Sequence, residues 1–302
     1  MSNKRMKIFV TGATGFIGQA VAEDLARAGH EVLGLVRNAA KAPRLEAAEI
    51  TPVIGDMAEP AGWTPAAQSA EAVIHCAAEY SARYMELDRQ TTERLLSLQP
   101  RLFIYTSGCW VYGNTGDAVA NESSALRPPS LVQPRVATER LVLAAASPAT
   151  RTLVIRPGCV YGGHGSLTAA WFESAENEGA SRIIGDGACH WPMVHVAGLA
   201  ELYRLAAESP LTAEIFNGVD GATPTVRECA EAASRAVLGT PAVTGTPREE
   251  AVYAMGPMAE CLTLDQRLDG SKARRLLGWQ CRHAGFVAGA ARYYRAWKAS
   301  AK

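Results

Sequence analysis

The sequence predicts an α/β fold in which a doubly wound parallel sheet is followed by a smaller C-terminal lobe. In the first half, short apolar runs alternate with amphipathic stretches. This rhythm is typical of parallel strands joined by right-handed helical crossovers. Some runs, such as 72–74, are apolar without interruption, as expected for strands that are buried on both faces. After Gly165 the elements become shorter and richer in Gly and Pro, which indicates the smaller lobe.

Each element is predicted from its own pattern. Strands are predicted at Lys7–Thr11, Glu31–Val36, Ile50–Ile54, Ala72–Cys76, Leu102–Thr106 and Thr152–Arg156, because these runs are rich in β-branched or aromatic residues. Helices are predicted at Phe16–Ala28, Thr91–Leu98 and Arg135–Ala146. We expect residues 1–165 to form the sheet domain, with 193–218 returning to it. Residues 166–192 and 219–302 are expected to form the smaller lobe.

Composition excludes several classes of function. The chain of 302 residues has 30 basic and 30 acidic residues, so its net charge is zero, which argues against a nucleic-acid partner. It has no apolar stretch long enough to span a bilayer and no visible signal peptide, so we expect neither a membrane nor a secreted protein. Seven scattered cysteines without a CxxC pair argue against disulfides and structural zinc, and favour a reducing cytoplasm. We expect no metal site.

A glycine-rich loop joins the first predicted strand to the first helix. The segment 11–18 reads TGATGFIG, with the spacing GxxGxxG. Gly12 permits a tight turn, Gly15 lets the backbone approach a pyrophosphate, and Gly18 allows the helix to pack closely on the strand. The helix N-terminus offers N–H groups to phosphates. We therefore predict a dinucleotide site that also includes Thr14, Phe16 and Ile17; a loop that keeps its glycines only for packing is the alternative.

The end of the second strand indicates which dinucleotide binds. NAD-binding proteins usually carry an acidic residue there, whereas this chain has Val36 followed by Arg37. A guanidinium suits a 2′-phosphate, so we predict NADP, with NAD as the alternative cofactor and an unliganded surface arginine as the alternative for Arg37. Asp56 and Met57, after the third strand, are predicted to contact the adenine; a Gly-Asp turn is the alternative there.

Several motifs beyond the loop carry a resemblance to a known family. They are segments 72–78 (AVIHCAA), 105–113 (YTSGCWVYG), 156–162 (RPGCVYG), 195–200 (HVAGLA), and 271–273 (SKA) preceding 277–279 (LGW). With TGATGFIG, they resemble the extended short-chain dehydrogenase/reductase superfamily, in its NAD-dependent epimerase/dehydratase group. The resemblance implies a Rossmann domain with a C-terminal substrate lobe, a nucleotide-sugar or small carbonyl substrate, and a homodimer. It also assigns cofactor contacts to Ala77, Ala78, Thr106, Arg135, Pro157, Gly158 and Val160.

The chain departs from this family at its catalytic signature. The family uses a Tyr-xxx-Lys pair, in which the lysine lowers the pKa of the tyrosine. Here no lysine lies between Lys41 and Lys272. Glu139 matches a glutamate that the family places four residues after the lysine, so the lysine position falls on Arg135 and the tyrosine position on Leu131. The one literal YxxxK, Tyr294 to Lys298, is interpreted as a coincidence on an amphipathic helix.

Proton transfer would then need another group. Ser107, Arg135 and Tyr112 are the predicted catalytic residues, although Tyr112 and Tyr161 are also explained by packing. Tyr80 and Tyr84, with Glu79, follow the fourth strand and are further candidates. His195 is expected to be a packed histidine. Predicted substrate contacts are Tyr80, Trp110, Tyr161 and Trp191.

Three functions remain open from the sequence. The first is an NADP-dependent oxidoreductase or epimerase that acts on a sugar-like or small carbonyl substrate with a modified proton-transfer site. The second is a catalytically silent NADP(H)-binding regulator or partner subunit, which the absence of both Tyr and Lys favours. The third is non-redox elimination, with Arg135 holding an anionic leaving group.

Overall fold

The structure is a computed structural model that describes residues 5–78 and 83–300. The strands are β1 Lys7–Thr11, β2 Glu31–Val36, β3 Thr51–Ile54, β4 Ala72–His75, β5 Leu102–Thr106, β6 Val119–Ala120, β7 Arg151–Pro157, β8 Cys159–Tyr161, β9 Ser181–Ile184, β10 Met193–His195, β11 Glu214–Gly218, β12 Val243–Thr246 and β13 Arg267–Leu268. The helices are α1 Phe16–Arg27, α2 Ala42–Glu46, α3 Thr64–Gln68, α4 Tyr84–Ser97, α5 Gln133–Ala144, α6 Ala169–Glu178, α7 Val196–Glu208, α8 Val226–Leu238, α9 Arg248–Met255, α10 Pro257–Leu262, α11 Ser271–Leu277 and α12 Phe286–Ser300.

All six strands predicted for the first half are present, with ends that differ by one residue at most. Helix α4 departs most from the prediction, because it begins at Tyr84 rather than at Thr91. Its first turns bury Leu87 together with the polar Asp88, so they lack the apolar periodicity that marks a helix in a sequence. Helix α5 begins at Gln133 and takes Pro134 into its first turn, where the missing N–H costs no helical hydrogen bond.

The central sheet has seven strands in the order β11-β7-β5-β4-β1-β2-β3. All pairings from β3 to β7 are parallel. The order β3-β2-β1-β4-β5 is that of a doubly wound Rossmann sheet, in which the chain starts at the centre and winds out in both directions. The predicted fold class is confirmed. In such a sheet the residues that follow parallel strands gather at one edge, where ligands bind.

The chain divides into two compact units. Unit 1 comprises 1–107, 134–156 and 199–216, and unit 2 comprises 108–133, 157–198 and 217–302. The predicted boundaries differ from this division, because they place 108–133, 157–165, 193–198 and 217–218 with the sheet domain. Strand pairing explains most of the difference: β6 pairs with β13 and β8 pairs with β10, all within unit 2.

Unit 1 has an apolar core between its sheet and the surrounding helices. Phe9 and Trp63 stack with ring centroids 6.1 Å apart, and Phe103, Val73 and Val154 are fully buried beside them. The indole N–H of Trp63 is satisfied by the carbonyl of Asp56, at 2.9 Å. This core holds the strands rigidly, so the loops at their carboxyl ends start from well-defined positions.

Unit 2 has its own, more aromatic core. Trp171 and Trp191 stack at 5.4 Å, and Phe286 lies edge-on to Tyr161 at 5.7 Å. Helices α6 and α12 pack against α8, which begins with a capping box formed by Thr225 and Glu228. Among the helices that the structure describes, none is both long enough and apolar enough to cross a lipid bilayer.

Candidate functional site

The glycine loop between β1 and α1 has a conformation that only small residues allow. Gly12 has a φ of +68°, and a Cβ placed on it would lie 2.7 Å from the Cα of Ala77. A Cβ on Gly18 would lie 2.2 Å from the carbonyl oxygen of Gly12. The turn is closed by the N–H of Gly15, which donates to that same carbonyl at 2.8 Å. Two glycines are therefore required by direct backbone approach.

The start of α1 is built to receive an anion. Gly15 is its N-cap residue and has no side chain, and no acidic residue occupies the first turn. Gly15 is exposed, and Thr14, Phe16 and Ile17 are partly exposed. The N–H groups of a first helical turn have no intrahelical acceptor, and the helix dipole favours negative charge there. This geometry fits the pyrophosphate of a dinucleotide.

The carboxyl ends of β2 and β3 bring Arg37 next to Asp56. Val36 is in register with Ile54, so the residues that follow each strand are neighbours. Arg37 is 72% exposed, and its Nε lies 4.0 Å from Oδ2 of Asp56. Oδ1 of Asp56 accepts from the N–H of Ala58, so this carboxylate also closes a turn. An ion pair of this length and exposure holds Arg37 only weakly, which leaves the guanidinium able to bind a phosphate.

The ends of β4 and β5 provide further predicted cofactor contacts. The N–H of Ala77 donates to Oγ1 of Thr11 at 3.2 Å, which ties this loop to β1, and Ala78 after it is exposed. Oγ1 of Thr106 accepts from the hydroxyl of Tyr203 at 2.7 Å. The Thr106 side chain is thus already committed within unit 1, and a ligand would meet the backbone of this segment more readily than the hydroxyl.

Ser107 differs from its neighbour. It is 6% exposed, and within the described chain its Oγ has no hydrogen-bond partner, although its N–H donates to the carbonyl of Ile155. A buried hydroxyl without a partner costs about 1–3 kcal/mol. This cost would be recovered if a ligand supplied the missing hydrogen bond, so Ser107 remains a candidate for orienting a substrate.

Arg135, on α5, is joined to two residues from other parts of unit 1. Its Nη1 donates to the carbonyl of Thr106 at 3.0 Å. Its Nε and Nη2 both donate to the phenolic oxygen of Tyr84, at 2.9 and 2.6 Å. The structure therefore brings the predicted Arg135 together with Tyr84, which sequence reasoning named as a candidate but did not pair with it. Leu131 lies in the turn that precedes α5.

A buried polar cluster lies beside Arg135. The hydroxyl of Tyr105 donates to Oδ2 of Asp88 at 2.6 Å, and Nε2 of His75 lies 3.5 Å from Oδ1. Nδ1 of His75 is 2.6 Å from Oγ1 of Thr11. Burial by itself would raise the pKa of Asp88, but the hydrogen bond and charge of His75, the charge of Arg135 and the hydrogen bond from Tyr105 lower it overall. Sequence reasoning missed Asp88, because an aspartate inside an undetected helix gives no signal.

Burial also keeps the neighbouring phenol of Tyr105 and thiol of Cys76 protonated. The pKa of Tyr105 lies well above its usual value, because this side chain is fully buried. Burial raises the pKa of the Cys76 thiol to about 12. All seven cysteines are free, as the sequence indicated. Both Tyr105 and Cys76 are therefore uncharged groups at neutral pH.

The remaining predicted residues lie in unit 2, where several are packed inside. Tyr112 is 2% exposed and donates to Oδ1 of Asn217 at 2.7 Å. Tyr161 is fully buried and donates to Asp220 and to the carbonyl of Ala284. Trp191 is 7% exposed and stacks on Trp171. The catalytic role predicted for Tyr112 and the substrate roles predicted for Tyr161 and Trp191 do not fit these positions, because the three side chains are buried inside unit 2.

Other predicted residues of unit 2 keep some accessible surface. Trp110 is partly exposed in a short 3-10 turn, and Val160 is partly exposed in β8. Pro157 and Gly158 are buried, and a Cβ on Gly158 would lie 2.4 Å from the carbonyl of Pro192. Gly158 is thus required by close backbone packing within this unit.

Tyr80, predicted to contact substrate, and Glu79 lie outside the described residues. The Tyr294 to Lys298 pair does form a contact, since Nζ of Lys298 donates to the phenol at 2.9 Å, but both side chains also bind Glu176 on the surface of unit 2. This arrangement is an ordinary ion-pair network between α6 and α12. Within residues 5–78 and 83–300, no cluster of His, Cys, Asp and Glu side chains could hold a metal ion.

The chain is similar over most of its length to several known proteins. An uncharacterized protein of Schizosaccharomyces pombe is 32% identical over 288 residues, which cover 92% of this chain and 96% of the relative. The decarboxylating sterol-4-alpha-carboxylate 3-dehydrogenase of Dictyostelium discoideum is 27% identical over 235 residues, 71% of each chain. Among solved structures, the dTDP-glucose 4,6-dehydratase of Streptomyces venezuelae, with NAD and TYD bound, superimposes with a TM-score of 0.83 at 23% identity, covering 97% of each chain.

The likeness to that dehydratase extends over nearly the whole chain and shows a shared fold. A family model covers residues 8–217, which run from β1 through β11 and include the glycine loop, Arg37, Ser107 and Arg135. This match spans more than half of the sequence. The chain therefore belongs to the NAD dependent epimerase/dehydratase family.

Proposed function

We propose that this protein is an NADP(H)-dependent oxidoreductase that interconverts a small carbonyl compound and its alcohol. The observation that carries the proposal is the glycine loop, whose backbone lies against Ala77 and leads into the uncapped N-terminus of α1. The dehydrogenase relative supports oxidoreductase chemistry in this family, and the buried, unpartnered hydroxyl of Ser107 supports a ligand site at the end of β5.

The residues of unit 1 fit the parts of a dinucleotide. Gly12, Gly15 and the first turn of α1 would hold the pyrophosphate, with Thr14, Phe16 and Ile17 around it. Asp56 and Met57 would contact the adenine, and Ala77, Ala78 and the backbone of Thr106 would line the path from β4 to β5. When bound, NADP(H) supplies the hydride. Pro157, Gly158, Val160 and Trp110 lie in unit 2, and the cofactor and substrate roles that the sequence suggests for them stay predictions.

Arg37 supports NADP over NAD, although the solved dehydratase holds NAD. The guanidinium follows β2 at the place where NAD-binding proteins usually have a carboxylate, and it is bound only loosely to Asp56. Replacing it by a neutral side chain should remove a charge-assisted contact to the 2′-phosphate and leave binding of NAD(H) intact.

The cofactor preference is tested by fluorescence titration of NADPH and NADH. Arg37→Gln is expected to weaken NADPH binding about tenfold and to leave NADH binding unchanged. Arg44→Gln, which removes an exposed arginine from α2, is the control and should change neither. Equal loss of both cofactors in Arg37→Gln, or tighter binding of NADH than of NADPH by the natural protein, would contradict the preference.

Ser107 and Arg135 would act on the substrate. The Ser107 hydroxyl would donate to the substrate oxygen, and Arg135 would supply fixed positive charge without titrating. The test is oxidation of NADPH in the presence of sugars, aldehydes and ketones, with Ser107→Ala expected to lower kcat/KM about 10- to 100-fold. Tight NADPH binding without turnover on any carbonyl would instead favour the silent regulator, which Leu131 and the missing lysine make the second candidate.

A further inference from the structure

Tyr84 and Arg135 form a cation–phenol pair at the carboxyl edge of the sheet in unit 1. Arg135 uses one N–H to bind the end of β5 and two others to bind the oxygen of Tyr84. Tyr84 is the first residue of α4, the helix that follows β4. The guanidinium carbon also lies 5.5 Å from the centre of the Tyr84 ring. The phenol oxygen is thus held by a fixed, planar donor fork rather than by one flexible contact.

Two donated hydrogen bonds from a cation favour negative charge on that oxygen. A phenolate accepts such bonds more strongly than a phenol does, so the pair stabilises the deprotonated form of Tyr84. Arg135 only donates here, and the O–H of Tyr84 plays no part in the pair. Arg135 itself cannot release a proton at working pH. The proton-bearing group of the pair is therefore Tyr84.

Titratable groups from α4, β4 and β5 surround the pair. Asp88 lies one turn after Tyr84 on α4 and is a buried carboxylate. Its negative charge repels a phenolate on Tyr84. Its oxygens are engaged by Tyr105 from β5 and approached by His75 from β4. Burial would lower the pKa of Arg135, but nearby Tyr105, Tyr84 and Asp88 raise it overall, so its positive charge persists.

The two tyrosines of this cluster have opposite environments. Tyr105 is fully buried and donates to a carboxylate, which keeps it a neutral phenol. Tyr84 is only partly buried and accepts from a cation. Where two environments push the pKa values of similar side chains apart in this way, the acid and base roles can be assigned from them. Tyr84, which lies beside the opposite charge, is the phenol suited to proton transfer.

We propose that Tyr84 donates the proton to the substrate carbonyl oxygen and that Arg135 stabilises the phenolate left behind. The proposal rests on the proposed function. The resemblance assigns the lysine position on α5 to Arg135, so the cation is retained there, whereas the phenol now comes from α4 instead of the position of Leu131. The missing Tyr-xxx-Lys spacing is thereby replaced by a pair 51 residues apart.

The step balances in atoms and electrons. The carbonyl carbon would gain a C–H bond from the hydride that NADPH supplies, so that the carbonyl is reduced and NADPH is oxidised to NADP⁺, and the electron pair of the broken C=O π bond moves onto oxygen. That oxygen takes the proton of Tyr84, whose O–H bond breaks and leaves its electron pair on the phenolate. Water then returns a proton to Tyr84. In the direction of alcohol oxidation, the same phenolate accepts the hydroxyl proton.

The first test needs no turnover and uses the cofactor-free protein. Tyrosinate absorbance is followed against pH in the natural protein, in Tyr84→Phe and in Arg135→Gln, and subtraction of the Tyr84→Phe curve isolates Tyr84. Arg135→Gln is expected to move the ionisation of Tyr84 to higher pH by about one unit or more. Arg135→Lys keeps a cation, so its Tyr84 should ionise at a pH between the values of the natural protein and of Arg135→Gln. An unchanged ionisation in Arg135→Gln overturns the pair.

The second test is kinetic. Tyr84→Phe is expected to lower kcat for carbonyl reduction about 10²- to 10⁴-fold, with the Kd for NADPH unchanged. The matched control is Tyr294→Phe, which removes a phenol that also contacts a cation, Lys298, but on the surface of unit 2. Its activity should equal that of the natural protein. Circular dichroism and the thermal transition verify that each variant is folded.

The outcomes separate this inference from the proposed function. Turnover that persists in Tyr84→Phe overturns the role of Tyr84 and leaves the oxidoreductase proposal in place. A natural protein that reduces no carbonyl overturns the oxidoreductase proposal and the proton-transfer step with it. In that case the titration still decides whether Tyr84 and Arg135 form an acid–cation pair.

Discussion

At the scale of single residues, buried polar groups of unit 1 differ in whether the protein satisfies them. Asp88 accepts a hydrogen bond from Tyr105 and lies 3.5 Å from Nε2 of His75. The hydroxyl of Ser107, in contrast, has no hydrogen-bond partner within the described chain. An unsatisfied buried hydroxyl lowers stability by about 1–3 kcal/mol. Thr91, Thr92 and Thr152 carry the same cost, but Ser107 differs from them because it directly follows β5, next to the residue that Arg135 binds, where a ligand site is expected.

His195 gives a pH-dependent prediction in unit 2. Its Nδ1 accepts from the N–H of Ala197 at the start of α7, and its ring stacks on His283 at 3.8 Å. Its pKa is lowered to about 4, chiefly by burial and further by the charges of His283 and Arg292. A free histidine has a pKa of about 6.5, so the unfolded chain binds more protons between these two values. Stability is therefore full above about pH 6.5 and falls as the pH drops towards 4.

His195→Asn should remove this dependence and keep the helix cap, because asparagine also accepts from a helical N–H. Between pH 7 and about 4.5, the natural protein is expected to lose roughly 1–2 kcal/mol more unfolding free energy than His195→Asn, after allowance for solvent screening. Urea unfolding at each pH provides the measurement. Two curves that stay parallel across the range would show that His195 is not the group involved.

At the scale of elements, α5 is fixed to the sheet by an ion pair rather than by apolar packing alone. Arg156 on β7 donates to both carboxylate oxygens of Glu139, at 2.9 and 2.5 Å, and both side chains are almost fully buried. Glu139 lies about one turn after Arg135 on the same helix. The ion pair thus sets the position of α5 and, through it, the position of the guanidinium that binds Tyr84.

Breaking this pair should destabilise unit 1 strongly. Glu139→Ala removes the carboxylate that binds the buried guanidinium of Arg156, and we expect a loss of about 3–5 kcal/mol in urea unfolding. The double variant Glu139→Leu with Arg156→Met replaces both charges by apolar groups and should lose much less. Glu139→Leu and Arg156→Met are also measured as single variants. A double variant that loses as much unfolding free energy as these two single variants together would contradict this account.

At the scale of the whole molecule, the seven-stranded sheet is the framework on which unit 1 presents its loops. The loops after β1, β2, β3, β4 and β5 carry most of the candidate residues of unit 1, because parallel strands end at a common edge. Unit 2 has a separate aromatic core and its own strand pairs. We therefore expect that binding of NADPH at the predicted nucleotide site raises the unfolding free energy of unit 1.

Calorimetry with and without NADPH tests this expectation by measuring the unfolding free energy. At a concentration 100 times its Kd, NADPH should add about 2.7 kcal/mol to the unfolding free energy. Gly12→Ala should abolish the effect, since its Cβ would lie 2.7 Å from the Cα of Ala77. The control is Gly62→Ala, where a Cβ meets no atom within 4 Å and no strained φ is required. A stabilisation that survives in Gly12→Ala would contradict the assignment of the site to this loop.

Local patterns in the sequence were enough to determine the six strands predicted for the first half, the helix that follows the glycine loop, the loop itself and the position of Arg37 after β2. These features depend on residues close together in the chain, where periodicity and turn chemistry operate. Tertiary structure alone decided that Tyr84 meets Arg135, that Asp88 binds Tyr105, and that Tyr112, Tyr161 and Trp191 are buried. Such contacts join residues far apart in sequence, and they depend on strand order and register, which bring the ends of β4 and β5 together.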